Sequence, residues 1–199
     1  MMRVIGTSFG GIMALAHAML TVLSGKPLSG YDLAKTFKTS IGFFWHASPQ
    51  QIYAELRRLE SKELIKGRRH SQDKYPDKII WSITVAGQEE LASFIAASSK
   101  PASIKDDLSV KVYALDIENA HEIRTQLIER LQYHQERLSL FRKIEKNLDR
   151  NGHENPDTAG RYIGLRSGLL YEQSRIDWCM EAIAHIERLT ESEGQSGSV

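Results

Sequence analysis

The chain reads as a mainly α protein in two parts: a unit of short helices closed by a two-stranded wing, then a pair of long antiparallel helices. Three observations carry this. Apolar residues recur at spacings of three and four over most of the length, the period of a helix. Strict alternation is confined to one stretch, where Ile79, Trp81 and Ile83 face one side of a strand over 78–84. A polar stretch rich in Ser with one Pro, 99–103, separates the parts as a linker.

The predicted elements run in this order. Residues 1–11 are Gly-rich without period and read as a flexible arm. A first helix over 12–23 carries Ile12, Leu15, Ala16, Met19, Leu20 and Leu23 on one face. Gly25 and Pro27 break it. Ser29 caps a second helix over 30–37, which is expected to bury Tyr31, Leu33, Ala34 and Phe37. The third helix, 49–62, has the strongest start signal. Ser48 caps it, Pro49 takes the first turn where no amide hydrogen is needed, and Gln51 closes a capping box. Ile52, Leu56 and Leu59 face inward. Strands over 64–70 and 78–84 flank a polar turn, and a fourth helix runs from Thr84 to about Ala97. These make a first domain of 12–98.

Beyond the linker, 104–189 is predicted to be wholly helical. A helix over 104–115 carries Leu108. Two long helices, 119–148 and 158–189, carry Leu127, Leu131 and Leu138 on one and Leu169, Leu170, Ile176, Met180 and Ile183 on the other. Near-heptad spacing with a break at Gly152 and Pro156 predicts an antiparallel hairpin whose apolar stripes build a homodimer. Residues 190–199 read as a disordered tail.

Of the 199 residues, 41% are apolar and 26% charged, the balance of a soluble folded protein. One cysteine excludes an intramolecular disulfide framework and fits a reducing compartment. The longest apolar stretch, 10–23, is interrupted by His17 and is too short to cross a bilayer, so a cytoplasmic protein with no membrane partner is expected. The net charge of +1 hides an asymmetry. Residues 26–78 hold eleven basic and six acidic side chains, whereas 101–199 hold thirteen basic and seventeen acidic. A basic front half and an acidic back half imply two tasks.

Helix, helix, helix, hairpin, helix is the order of a winged helix-turn-helix. A helix that enters a DNA groove needs one stripe to hold it on its domain and an opposite face free for bases and phosphates. The third helix has both. Ser48, Gln50, Gln51, Tyr53, Arg57 and Arg58 are the candidate contacts there, and Lys74, Tyr75 and Lys78 are the candidates in the wing. Amide side chains pair with adenine and arginine with guanine. From these residues alone, a DNA reader and a protein-interaction module without DNA binding both stay open.

Particular residues go further. Ser29, Gly30 and Tyr31 open the second helix. Trp45, Ser48, Ile52, Tyr53, Leu56, Leu59 and Glu60 run through the third, and Thr84, Ala86 and Gly87 follow the hairpin. This pattern resembles the PadR family of transcriptional regulators. The back half, opening on Ile104, Asp106, Asp107 and Leu108, looks like the long C-terminal domain of its larger subfamily, which includes virulence activators. The resemblance implies a homodimer that binds double-stranded DNA at a pseudo-palindrome, through helix three and the wing, and usually represses. It also implies a groove between domains where some members take aromatic effectors, with Tyr31 and Trp45 as the candidates here. The family usually has Gly where this chain has Glu63, and Tyr where it has Trp81.

No phosphate loop, dinucleotide fingerprint or nucleophile elbow is present. The histidines, His17, His46, His70, His121, His134, His153 and His185, fall at no metal-ligand spacing with each other or with Cys179. No catalytic residue, metal or cofactor is expected, and Asp106 with Asp107 reads as a helix start rather than a catalytic pair.

Overall fold

The structure, a computed structural model, describes residues 10–42, 47–71, 77–99, 101, 105–150 and 156–196. Trp45, Lys74, Tyr75, His46, His153, most of the linker and most of the N-terminal arm lie outside them. The chain divides into two compact units, Met1–Lys100 and Pro101–Val199.

The first unit runs α1 (Gly10–Gly25), β1 (Leu28–Ser29), α2 (Gly30–Thr36), a widened π-type turn (Phe37–Ile41), α3 (Pro49–Ser61), β2 (Ile65–His70), β3 (Lys78–Ile83) and α4 (Val85–Ala96). The sheet has three strands where the sequence predicts two. Leu28 pairs with Trp81 and Ser29 with Ile80, giving the order β1-β3-β2. A two-residue strand carries no readable alternation, so β1 was invisible in the sequence. Leu15, Ala16, Met19, Leu20, Leu23, Leu33, Phe37, Ile52, Leu56, Leu59, Ile65, Trp81 and Leu91 form one buried cluster. Tyr31, expected in this core, is 72% exposed. His17 is buried, stacked on Phe94 at 3.9 Å and bonded to Glu90 at 3.0 Å, which ties α1 to α4.

The end of α3 shows why the position before the wing usually suits glycine. The Glu63 amide reaches Glu60 O at 2.8 Å and the Leu64 amide reaches Leu59 O at 3.0 Å, the paired bonds of a Schellman turn. That turn needs a left-handed residue, and Glu63 supplies it at φ 58°. A side chain there costs about 1 kcal/mol relative to glycine.

The second unit holds α5 (Asp107–Tyr113), α6 (Ala120–Arg150) and α7 (Pro156–Ser196). The predicted disordered tail is corrected in part: α7 continues through 190–196. Asp106 caps α5, accepting from the Leu108 amide at 3.2 Å, and binds Arg130 of α6 at 3.2 Å and Arg175 of α7 at 2.9 Å. One carboxylate thus fastens three helices. Burial alone would raise its pKa. The charge of Arg130 and the hydrogen bonds from Ser109, the Leu108 amide and Arg130 outweigh that and hold it below the usual carboxylate value.

The seam of the hairpin differs from the predicted one. On α7 the buried side chains are Leu165, Leu169, Glu172, Ile176, Cys179 and Ile186, whereas Ile163, Leu170 and Met180 are exposed. Opposite Glu172 stands His134, whose Nδ1 lies 2.5 Å from Glu172 Oε2, and Arg137 Nε donates to Glu172 Oε1 at 2.6 Å. This polar layer interrupts an apolar seam with Leu127 to one side and Leu138 and Phe141 to the other. His134 Nε2 is buried without a hydrogen-bond partner. Burial pushes the Cys179 thiol up despite the nearby charges of Arg175 and Arg130, which disfavours the thiolate.

Two outcomes are expected. Glu63→Gly relieves the left-handed strain and raises stability by up to about 1 kcal/mol, read as a rise of a few degrees in melting temperature. Asp106 has a depressed folded pKa, so its contribution is present above the unfolded value and is lost as pH falls below about 4. Asp106→Asn is expected to cost about 1 kcal/mol at pH 7 and to flatten the acid limb of a pH-dependent melt.

Candidate nucleic-acid interface

The outward face of α3 forms one wall of a groove. Ser29, Gly30, Tyr31 and Asp32 at the start of α2 and Asp77, Lys78, Ile79 and Trp81 of the wing complete it, around a volume of 580 Å³. From α3 come Tyr53, Leu56, Arg57 and Glu60.

Ile52, Leu56 and Leu59 are each 1% exposed and hold α3 on the unit, while Tyr53, Ala54 and Arg57 between them turn outward. The capping box is formed: the Gln51 amide donates to Ser48 Oγ at 3.2 Å and the Ser48 amide to Gln51 Oε1 at 2.8 Å. This revises two candidate contacts. The Ser48 oxygen and the Gln51 carbonyl oxygen are engaged as acceptors in starting the helix, and the Ser48 hydroxyl hydrogen and the Gln51 amino group remain to reach outward. Gln50 is exposed.

Arg57 and Arg58, adjacent in sequence, do different things. Arg58 binds Glu55 through both carboxylate oxygens, with Nε at 3.0 Å from each and the terminal nitrogen at 2.8 Å from one. Glu55 is buried, so Arg58 neutralises an interior charge, and a DNA contact by Arg58 would have to be made while it holds Glu55. The hydrogen bond to Glu55, partly offset by burial, raises its pKa further. Arg57 is exposed and makes no hydrogen bond or ion pair among the described residues.

Tyr53 is positioned by an absence. A Cβ on Gly30 would stand 2.4 Å from Tyr53 Cε1, so the ring lies flush on the bare backbone at the start of α2. Neither this seat nor the buried Glu55 was identified from sequence, though the Ser29, Gly30, Tyr31 motif was the available signal. Tyr31 opens on the same groove as Tyr53 and Arg57 rather than into a core.

Three carboxylates also line the groove, and each is bound. Asp32 accepts from Ser29 Oγ at 2.6 Å, Asp77 from Arg69 at 2.7 Å and Ser71 at 3.2 Å, and Glu60 from the Gly67 amide at 3.3 Å. Arg57 and Lys78 are left as the groove's cations without a partner among the described residues. Two cations without a partner among the described residues and two exposed tyrosine rings suit a phosphate backbone and base edges.

Residues 19–93 match the PadR-like family of transcriptional regulators, and residues 104–187 match the C-terminal domain named virulence activator alpha. A Mycobacterium tuberculosis protein named "probable transcriptional regulator" is 33% identical over 180 residues, covering 85% of this chain and 95% of that protein. The chain belongs to the PadR family. Its solved relatives include Bacillus subtilis PadR bound to operator DNA, 28% identical with a TM-score of 0.73 over 86% of this chain and 97% of that one. They also include the Vibrio cholerae virulence activator AphA, 30% identical with a TM-score of 0.72 over 88% and 99%. Bacillus subtilis PadR has in addition been captured with p-coumaric acid, at a TM-score of 0.66, 27% identity and coverage of 88% and 97%. PadR-family proteins are regulators of transcription and not enzymes. Among the described residues no group of three His, Cys, Asp or Glu side chains is placed to hold a metal ion, and no helix is long and apolar enough to cross a membrane.

The predicted dimerisation residues divide. Leu108, Leu127, Leu138, Leu169 and Ile176 are buried within the chain itself, Leu131 and Ile183 are half-buried, and Leu170 and Met180 are exposed.

The two arginines are separable by melting. Arg58→Ala strands Glu55 and is expected to cost about 1–2 kcal/mol, less than a fully buried pair because solvent reaches Arg58. Arg57→Ala leaves the melting temperature unchanged within a degree.

Proposed function

We propose that this PadR-family regulator binds operator DNA through α3 and the wing, with Gln50, Tyr53, Arg57 and Lys78 as contacts. The single observation that carries the reading is the groove face of α3. There an exposed Arg57, without a partner among the described residues, stands beside Tyr53 seated on Gly30. Tyr31, on the same groove, joins the contact set. The remaining amino group of Gln51 and the wing residues Lys74 and Tyr75 stay in that set from the sequence. The operator complex of Bacillus subtilis PadR supports the same use of the fold.

The working form proposed is a homodimer. Ile163 and Leu170 are 67% and 63% exposed, one heptad apart on α7 and turned away from its seam with α6. A second copy would cover that face. Two recognition helices would then stand about one DNA turn, roughly 34 Å, apart on a pseudo-palindrome. Repression is the direction proposed, in keeping with the Bacillus subtilis relative, a negative regulator. Release by an aromatic small molecule is proposed on the p-coumaric acid complex of that same relative. The effector would act by favouring a dimer geometry that fits DNA poorly. The protein would act in the cytoplasm, where its operator is.

Binding of the full chain to labelled fragments of its own upstream region tests the reading. Arg57→Ala and Tyr53→Ala are each expected to weaken binding about tenfold or more, with folding intact. Arg57→Ala should also lower the salt dependence by about one ion. Unchanged affinity in both variants would remove α3 as the reader and favour a protein-binding winged helix. Light scattering of the free protein should give twice the chain mass.

A further inference from the structure

We infer that Thr84 is a positioning residue for DNA binding, setting the angle at which the wing leaves the recognition helix. The inference rests on the reading of α3 and the wing as the DNA-binding surface. Three bonds converge on this residue. Its hydroxyl donates to Glu63 O at 2.7 Å. The same oxygen accepts from the Gly87 amide at 3.1 Å. Its own amide donates to Leu64 O at 3.1 Å. Glu63 and Leu64 link α3 to β2, and Thr84 links β3 to α4. Both roots of the wing, with the helices before and after it, therefore meet at one side chain.

Each bond has a job that a generic helix cap lacks. Glu63 holds a left-handed conformation without being glycine, a backbone state that a side chain disfavours. The Thr84 hydroxyl grips the carbonyl that would have to swing. On the other side, a Cβ on Gly87 would stand 2.1 Å from Leu64 O and 2.8 Å from Ile83 Cγ1. The first turn of α4 is thus pressed against the wing root and closes off movement in that direction. Leverage makes the root matter. Six-residue strands span about 20 Å, so a rotation of about 10° at the root carries the far end some 3 Å, enough to break a phosphate contact. Farther along, Glu60 of α3 accepts from the Gly67 amide at 3.3 Å, a longer bond that follows the angle set at the root.

Three variants of the full chain test this on an upstream DNA fragment that the wild type protects. Hydroxyl-radical cleavage reads the backbone flanks that the wing covers, and guanine methylation reads the major groove under α3. Thr84→Ser keeps the hydroxyl and is expected to bind within twofold of wild type with both protections. Thr84→Val is expected to lose at least tenfold in affinity and the flanking protection, while the guanine protection at saturating protein remains. Thr84→Asp still accepts the Gly87 amide, so α4 stays capped, but it has no proton for Glu63 O. It is expected to fall with Thr84→Val while its circular dichroism shows the fold retained, and it carries the test if the valine variant does not fold. Binding by Thr84→Val or Thr84→Asp within twofold of wild type would overturn the inference, as would equal loss of flank and guanine protection. A wild-type protein that protects no upstream fragment would instead overturn the DNA-binding reading beneath it.

Discussion

Everything at the proposed interface depends on three side chains that never see solvent. Ile52, Leu56 and Leu59 pin α3 to the core of the first unit, and burial of each contributes about 1.5–3 kcal/mol. Because that stripe is narrow, the rest of the helix surface is released from packing. The consequences follow in order. Glu55, lying close to the stripe, becomes an interior charge and takes Arg58 as its partner. Arg57, one position away, has no such obligation. Tyr53 swings to the groove and rests on Gly30. The division between scaffold and contact is set by angular position on one helix.

Electrostatics in the groove follow the same economy. A basic segment of +5 is not a uniformly basic surface. The carboxylates of Asp32, Glu60 and Asp77 are held by a hydroxyl, a backbone amide and an arginine, and one cation of the wing, Arg69, is used in holding Asp77. What faces outward is a small surplus at known places. A surface of that kind binds any phosphate backbone weakly. On the proposed reading, discrimination would come from α3 and, in the proposed homodimer, from having two copies of it.

Much of this was legible in the sequence, and the exceptions have physical causes. The start of α3 was readable because Ser48, Pro49 and Gln51 each satisfy a distinct demand of a helix terminus. The bounds of α3 and the wing strands fall within a residue or so of expectation. The same Ser48 and Gln51 are also candidate contacts, and the cap engages their acceptor oxygens while leaving the Ser48 hydroxyl hydrogen and the Gln51 amino group. Arg57 and Arg58 are indistinguishable by composition, and the depth of Glu55 separates them. Tyr31 was assigned to the core on spacing, but a helix as short as α2 buries only one narrow face. The α7 seam was read only in part, through Leu169 and Ile176, because two of its other positions are Glu172 and Cys179. A charged residue in a stripe breaks the pattern unless its partners, His134 and Arg137 some 35 residues away, are already known.

That polar layer has a mechanical consequence. Helices joined by apolar contacts alone can slip by a heptad, about 10 Å, and still find leucine against leucine. Here such a slip would bring Glu172 opposite Leu127 or Phe141, leaving an ion in hydrocarbon at a cost of several kcal/mol. The two long helices are therefore keyed like a splined shaft. They can bend or turn as one piece, but they cannot creep along each other. Register held in this way makes the pair one member rather than two that slide.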